Sequence, residues 1–158
     1  MMYVIGARIK EEKDSEEILE RVESYRKEEG VFLQLFDQSK VIGKEHLLWA
    51  YQKAEESFKH GSKRADDLEI ETLLWASAEW QIKDALKKMG VVDGAEKVAI
   101  MIEEDPECFL DFMRWTQDDS VLEPSMKKLK TFDIGEDEIS SVDSPYDLVF
   151  EKMATSIL

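Results

Sequence analysis

Short apolar stretches and helical stripes alternate along this chain, and together they predict an α+β fold. Residues 3–9 are apolar and rich in β-branched side chains, which predicts an opening strand. Asp14 or Ser15 then caps a helix whose first turn carries Glu16 and Glu17. Ile18, Val22 and Tyr25 share one face of that helix, and Gly30 lies just past an end near Glu28. Residues 31–37 read as the clearest strand, apolar on both faces and so suited to a central position between helices. After a turn at 37–40 and Gly43, Leu47, Tyr51, Ala54 and Phe58 line a second helix that Gly61 ends. Asp66 and Glu69 have capping-box spacing. A stripe from Ile70 to Met89 predicts two helices or one bent one, with any break between Ser77 and Trp80.

The second half is sparser. Asp93-Gly94 turns into a third strand at 97–102, and Pro106 suits the first turn of a helix running past Phe109, Phe112, Met113 and Trp115. Pro124 opens a short helix around Met126 to Leu129. Between Thr131 and Phe150 acids accumulate with no lysine or arginine. Pro145 then precedes a last helix with Tyr146, Val149, Met153 and Ile157 on one face. No repeat or linker divides the 158 residues, so the expectation is one domain: a small mixed β-sheet covered by several helices.

Composition narrows the function classes. With 43% hydrophobic and 36% charged residues the chain is neither a disordered acidic segment nor a membrane protein, and no apolar run reaches the roughly 20 residues of a membrane span. No leader pattern is visible at the first residues, which points to the cytoplasm. One cysteine and two histidines preclude an internal disulfide and a zinc site built from His and Cys alone. Cys108, beside Phe109 and Leu110, reads as a small buried hydrophobe. The net charge of -15 opposes non-specific attraction to nucleic acid, so any RNA contact needs a local patch or a basic partner.

No phosphate loop, paired-histidine metal motif or nucleophile elbow is present. Glu45-His46 is the one adjacent acid and imidazole. Neighbours on a helix point about 100° apart, so a packing role for His46 is preferred to general-base catalysis. From 44 to 64 five cations, Lys44, Lys53, Lys59, Lys63 and Arg64, face three glutamates, a local +2. A basic turn before a helix can hold phosphate, although spacing alone favours an ordinary solvated face. Trp49, Trp75 and Trp115 lie in apolar helical segments and read as core. Trp80, between Glu79 and Gln81, sits at the predicted junction, where it could stack on a base or cover a helix end. Leu148, Val149, Met153, Ile157 and Leu158 more than fill one face of the last helix. Docking on its own core is the ordinary reading, with a surplus for a partner.

Residues 41–50, 68–77 and 81–90, in that order and separation, resemble the small kinase-binding subunit of the archaeal and eukaryotic KEOPS complex, the PRPK-binding-protein family. The likeness is densest over 41–90 and extends as general layout to the ending 147–154. It implies a single α+β domain with no catalysis and no cofactor of its own. Such a subunit binds the complex's kinase-like ATPase and helps recruit tRNA by its CCA end for threonylcarbamoylation of the adenosine beside the anticodon. Carried to matching positions, it makes Lys44, His46, Lys59, Lys63, Arg64, Trp80 and Gln81 candidate RNA contacts, and Leu148, Val149, Met153 and Ile157 candidate kinase contacts. Where the family commonly has glycine and arginine in the junction, this chain has Ala78 and Trp80. The RNA assignment there depends on stacking in place of charge, and the helix break is expected to be less sharp. Two alternatives are a protein-only adaptor and, behind it, an acid–base enzyme using His46.

Overall fold

The computed structural model describes residues 1–11, 14–132, 134, 137–138 and 146–155. The elements run β1 (Tyr3–Arg8), α1 (Ser15–Glu29), β2 (Leu33–Phe36), a 3-10 turn (Gln38–Lys40), α2 (Lys44–Lys59), α3 (Leu68–Ser77), α4 (Ile82–Met89) and β3 (Lys97–Ile102). They continue with α5 (Glu107–Met113), β4 (Thr116–Gln117), a second 3-10 turn (Asp119–Leu122), α6 (Met126–Lys130) and α7 (Tyr146–Thr155). This is an α+β single domain.

The sheet order is β2-β3-β1-β4, and every pairing is antiparallel rather than mixed. β1 and β3 form its centre, with Tyr3 opposite Ile102 and Arg8 opposite Lys97. β2 lies at an edge, not in the middle. It is apolar on both faces because helices cover both. Leu33 and Leu35 pack with Ile5, Ile100 and Phe109 beneath α1 and α5, while Phe36 packs with Ala99, Met101 and Leu73 beneath α2 and α3. Alternation along each strand thus feeds two cores, one on each side of the sheet. A third, smaller core gathers Ile42, Leu129 and Phe132 around α7.

α1 forms as its sequence signals: the Asp14 carboxylate accepts the Glu16 N–H, Ile18, Val22 and Tyr25 are buried, and Gly30 ends the helix at φ 65°. α3 does not use its expected capping box. Asp67 occupies the cap position without a side-chain bond, and Glu69 turns inward, 3.4 Å from both Arg26 Nη1 and the Leu33 backbone N–H. A helix enclosed by α2, α4, α7 and β2 recruits even its first-turn acid to satisfy buried donors. In α2 the innermost face is His46, Leu47, Ala50, Ala54 and Ser57, and Tyr51 and Phe58 are only partly buried. Small residues there let α2 and α3 approach closely. Cys108 is exposed, not buried, because the buried face of α5 is set by Phe109, Leu110 and Met113.

The break between α3 and α4 is sharp even without glycine. Ala78 takes a left-handed conformation, φ 58° and ψ 31°, and its N–H reaches back to Leu74 and Trp75 carbonyls. Gly6 is required where it stands: a Cβ would lie 1.9 Å from Val121 Cγ2 and 2.3 Å from the Asp118 carbonyl. The second 3-10 turn therefore lies directly on the β1 backbone. No helix among the described residues is long and apolar enough to cross a membrane.

Candidate recognition surface

The predicted site residues separate into three groups. His46 belongs to the interior, 1% exposed. The Ile42 N–H donates to its Nδ1 at 3.2 Å, and its Nε2 donates to the Ala76 carbonyl at 2.8 Å. This pattern requires the neutral ring protonated at Nε2, and burial drives its pKa from 6.5 to about 4. Both nitrogens are engaged, so His46 is neither an exposed RNA contact nor a free base. It ties the start of α2 to the end of α3.

The second group assembles where the basic turn meets the α3–α4 junction. Glu71, fully buried, accepts the backbone N–H groups of Arg64 and Ala65 through Oε1, at 2.7 and 3.0 Å. Its Oε2 stands 3.8 Å from Arg64 Nε. The Arg64 guanidinium lies between two indoles, 5.4 Å from the Trp75 ring centre and 5.1 Å from that of Trp80, while Nη1 donates to the Glu79 carbonyl at 3.1 Å. Burial pulls the pKa of Arg64 down and the Glu71 charge opposes that shift. Arg64 is thus largely committed inside the protein, where it holds the indole and cannot serve as a freely exposed phosphate ligand. Trp80 is 54% exposed, with Gln81 exposed beside it and Ile82 and Leu86 also at the surface. Lys63 extends over the Phe58 ring at 4.8 Å, and Lys59 is exposed one turn earlier.

Lys44 stands apart. Fifteen residues of α2 separate it from Lys59, about 22 Å at the helical rise. It lines a cleft of about 460 Å³ between the start of α2, the segment after β4 and the start of α7.

Of the residues expected to meet a partner, Val149 and Met153 are fully buried against Ile42, Leu129 and Phe132. They dock α7 on its own core, which corrects their assignment as surface contacts. Leu148 is half-buried, and Ile157 lies outside the described residues. Phe150 packs on Trp49 at 5.8 Å, and Trp49 meets Trp75 at 6.0 Å. Trp75 and Trp115 are core residues, as expected, and Trp49 is half-buried.

Glu71 was not anticipated as a site residue, because a glutamate in the first turn of a helix reads as a solvated charge. Glu123, Leu122 and Phe150, which shape the cleft, carry no local pattern, since they come from segments far apart in sequence. Among the described residues, no three His, Cys, Asp or Glu side chains converge to hold a metal.

A comparison with curated proteins finds no match. A family model described as kinase binding protein CGI-121 matches residues 9–156, from just after the first strand through the last helix. That span takes in every element after β1, including the Arg64–Trp80 junction and the cleft at the start of α7, and so the chain belongs to this family of kinase-binding proteins.

Proposed function

We propose that this kinase-binding protein is the non-catalytic KEOPS subunit that engages the complex's kinase-like ATPase in the cytoplasm and helps bring tRNA to it by the CCA end. The observation that carries the RNA half is the Trp80 indole, exposed to solvent and braced on the Arg64 guanidinium. Stacking on an aromatic ring contributes about 1–3 kcal/mol per base and needs no base-specific pairing. A chain at net charge -15 repels a long phosphate backbone, so a few unpaired terminal nucleotides are the part of a tRNA it can accept most easily. Lys59, exposed at the end of α2, and Lys63, in the turn that leads to Arg64, supply positive charge on this stretch of the chain.

The test uses the complex assembled with its kinase-like ATPase and compares intact tRNA with tRNA lacking the CCA end. Truncation should abolish most binding, and Trp80→Ala should weaken binding of intact tRNA by about 5- to 150-fold, the factor matching loss of one stacked base. Equal binding of intact and truncated tRNA would refute the RNA role. The protein-only adaptor remains the second reading, favoured by the acidic surface. It predicts that Lys59→Glu with Lys63→Glu leaves tRNA modification unchanged.

A further inference from the structure

We propose that the cleft at the start of α2 is the seat for an apolar side chain of the kinase partner that is flanked by lysine or arginine. This rests on the chain's membership in a kinase-binding family and adds a location and a partner chemistry to it.

The cleft has the volume of a small binding pocket, about 460 Å³, and an apolar base of Ile42, Leu122, Pro124 and Phe150. Its walls are fixed before any partner arrives. The second 3-10 turn lies on Gly6, where Asp119 Oδ1 accepts the Gly6 N–H at 3.1 Å. The buried Lys128 ammonium donates to the carbonyls of Val121 and Glu123 at 2.7 and 2.8 Å, tying the end of that 3-10 turn to α6. On the opposite side, His46 joins the start of α2 to α3.

The rim selects the occupant. Glu45, Asp119, Glu123 and Asp147 are exposed around the opening, against Lys44 as the one lysine or arginine among the described lining residues. Glu45 and Asp147 each occupy the first turn of a helix, which gives them a favourable dipole, but neither has an ion-pair partner among the described residues. A phosphate-bearing ligand meets net negative charge here. A small polar metabolite finds few donors or acceptors in the base, because both ring nitrogens of His46 and the Ile42 N–H are already paired. An apolar side chain between two cations satisfies base and rim together. The location also replaces the expected partner face of α7. Val149 and Met153 point into the core, and the parts of that helix that reach the cleft are Asp147 and Phe150.

The experiment measures affinity of the full-length chain for the full-length kinase-like ATPase of the same organism. Wild type is compared with Glu45→Lys plus Asp147→Lys, and with Glu55→Lys plus Glu56→Lys, which lie farther along α2. Far-UV circular dichroism and the unfolding midpoint of each variant verify the fold. Rim reversal should weaken kinase binding by about tenfold or more and flatten its salt dependence, while the control pair changes it less than about twofold. Unchanged kinase affinity in a folded rim variant overturns the proposal, including where that variant shows altered self-association, which would identify a second copy as the occupant, or newly protease-sensitive residues 139–145, which would identify the chain's own segment. A wild-type chain that binds no kinase would refute the family-based reading itself, and with it the cleft's assignment.

Discussion

His46 should make stability fall with acid in a pH range where most histidines charge freely. Burial is the main cause of its low pKa, about 4 against an ordinary 6.5. The Ala76 carbonyl opposes that shift, and the nearby Lys88 and Lys128 charges add to it. Phe132 packs edge-on against the ring at 5.4 Å and adds to its burial. Between pH 6.5 and 4 the unfolded chain takes up a proton that the folded one refuses, so stability declines as pH falls. Above about pH 6.5 the effect vanishes, and below about pH 4 it levels off because both states are charged. The loss works out at about 2 kcal/mol at pH 5 and about 3 kcal/mol at pH 4. For a domain whose total stability is about 5–15 kcal/mol this is a large fraction. The assay is urea unfolding at about pH 7, 6 and 5 for wild type and His46→Gln, whose amide can donate to Ala76 and accept from Ile42 without titrating. With an m-value of about 2 kcal/mol/M, the wild-type midpoint should drop about 1 M further than the variant's between pH 7 and 5. The 36 carboxylates and His60 are common to both proteins and largely cancel. Parallel pH curves would refute the reasoning.

Two further substitutions test the junction. Glu71→Gln keeps one acceptor for the Arg64 and Ala65 N–H groups but leaves the Arg64 cation without its carboxylate. Chemical denaturation should show a loss of about 3 kcal/mol, together with a red-shifted Trp80 emission as the ring loosens. Ala78→Gly relieves a left-handed alanine and should raise stability by about 0.5–1 kcal/mol, read as a higher unfolding midpoint with no change in far-UV spectrum.

Much of this architecture was legible in the residue pattern. The caps and stripe of α1, the third strand and the break before Trp80 all follow from local chemistry acting over a few residues. The place of β2 at the sheet edge was not legible, because an apolar run reports burial on both faces and says nothing about lateral neighbours. α3 hid its acids for a related reason. Glu69 and Glu71 look like solvated first-turn charges, yet a helix surrounded by α2, α4, α7 and β2 has no solvated side for them, and each satisfies buried backbone donors instead. The resemblance alone makes His46 a recognition residue, whereas its place on the helix favours packing. Its partners, Ile42 and Ala76, include one 30 residues away that no spacing rule connects to it.

On the proposed reading, the two ends of α2 serve opposite kinds of partner. At its start, Glu45 joins Glu123 and Asp147 around an apolar cleft, and at its end Lys59 leads into the turn where Arg64 braces Trp80. About 22 Å of helix separates them, more than two screening lengths at physiological salt, so the acid rim does little to weaken phosphate binding at the turn. That separation gives a reason for the arginine to be internal. A free arginine at the junction would attract the acidic surface of a second copy as readily as RNA. Committed to Glu71 and to the indoles of Trp75 and Trp80, it converts a charge into a fixed aromatic face, and a fixed face discriminates an unpaired base from a carboxylate where a free cation cannot. Arg64→Lys tests this directly. It keeps the charge but loses the planar stack, and it should weaken binding of tRNA with an intact CCA end about as much as Trp80→Ala does. Undiminished binding by a folded Arg64→Lys variant would mean that charge, not the braced ring, makes the contact.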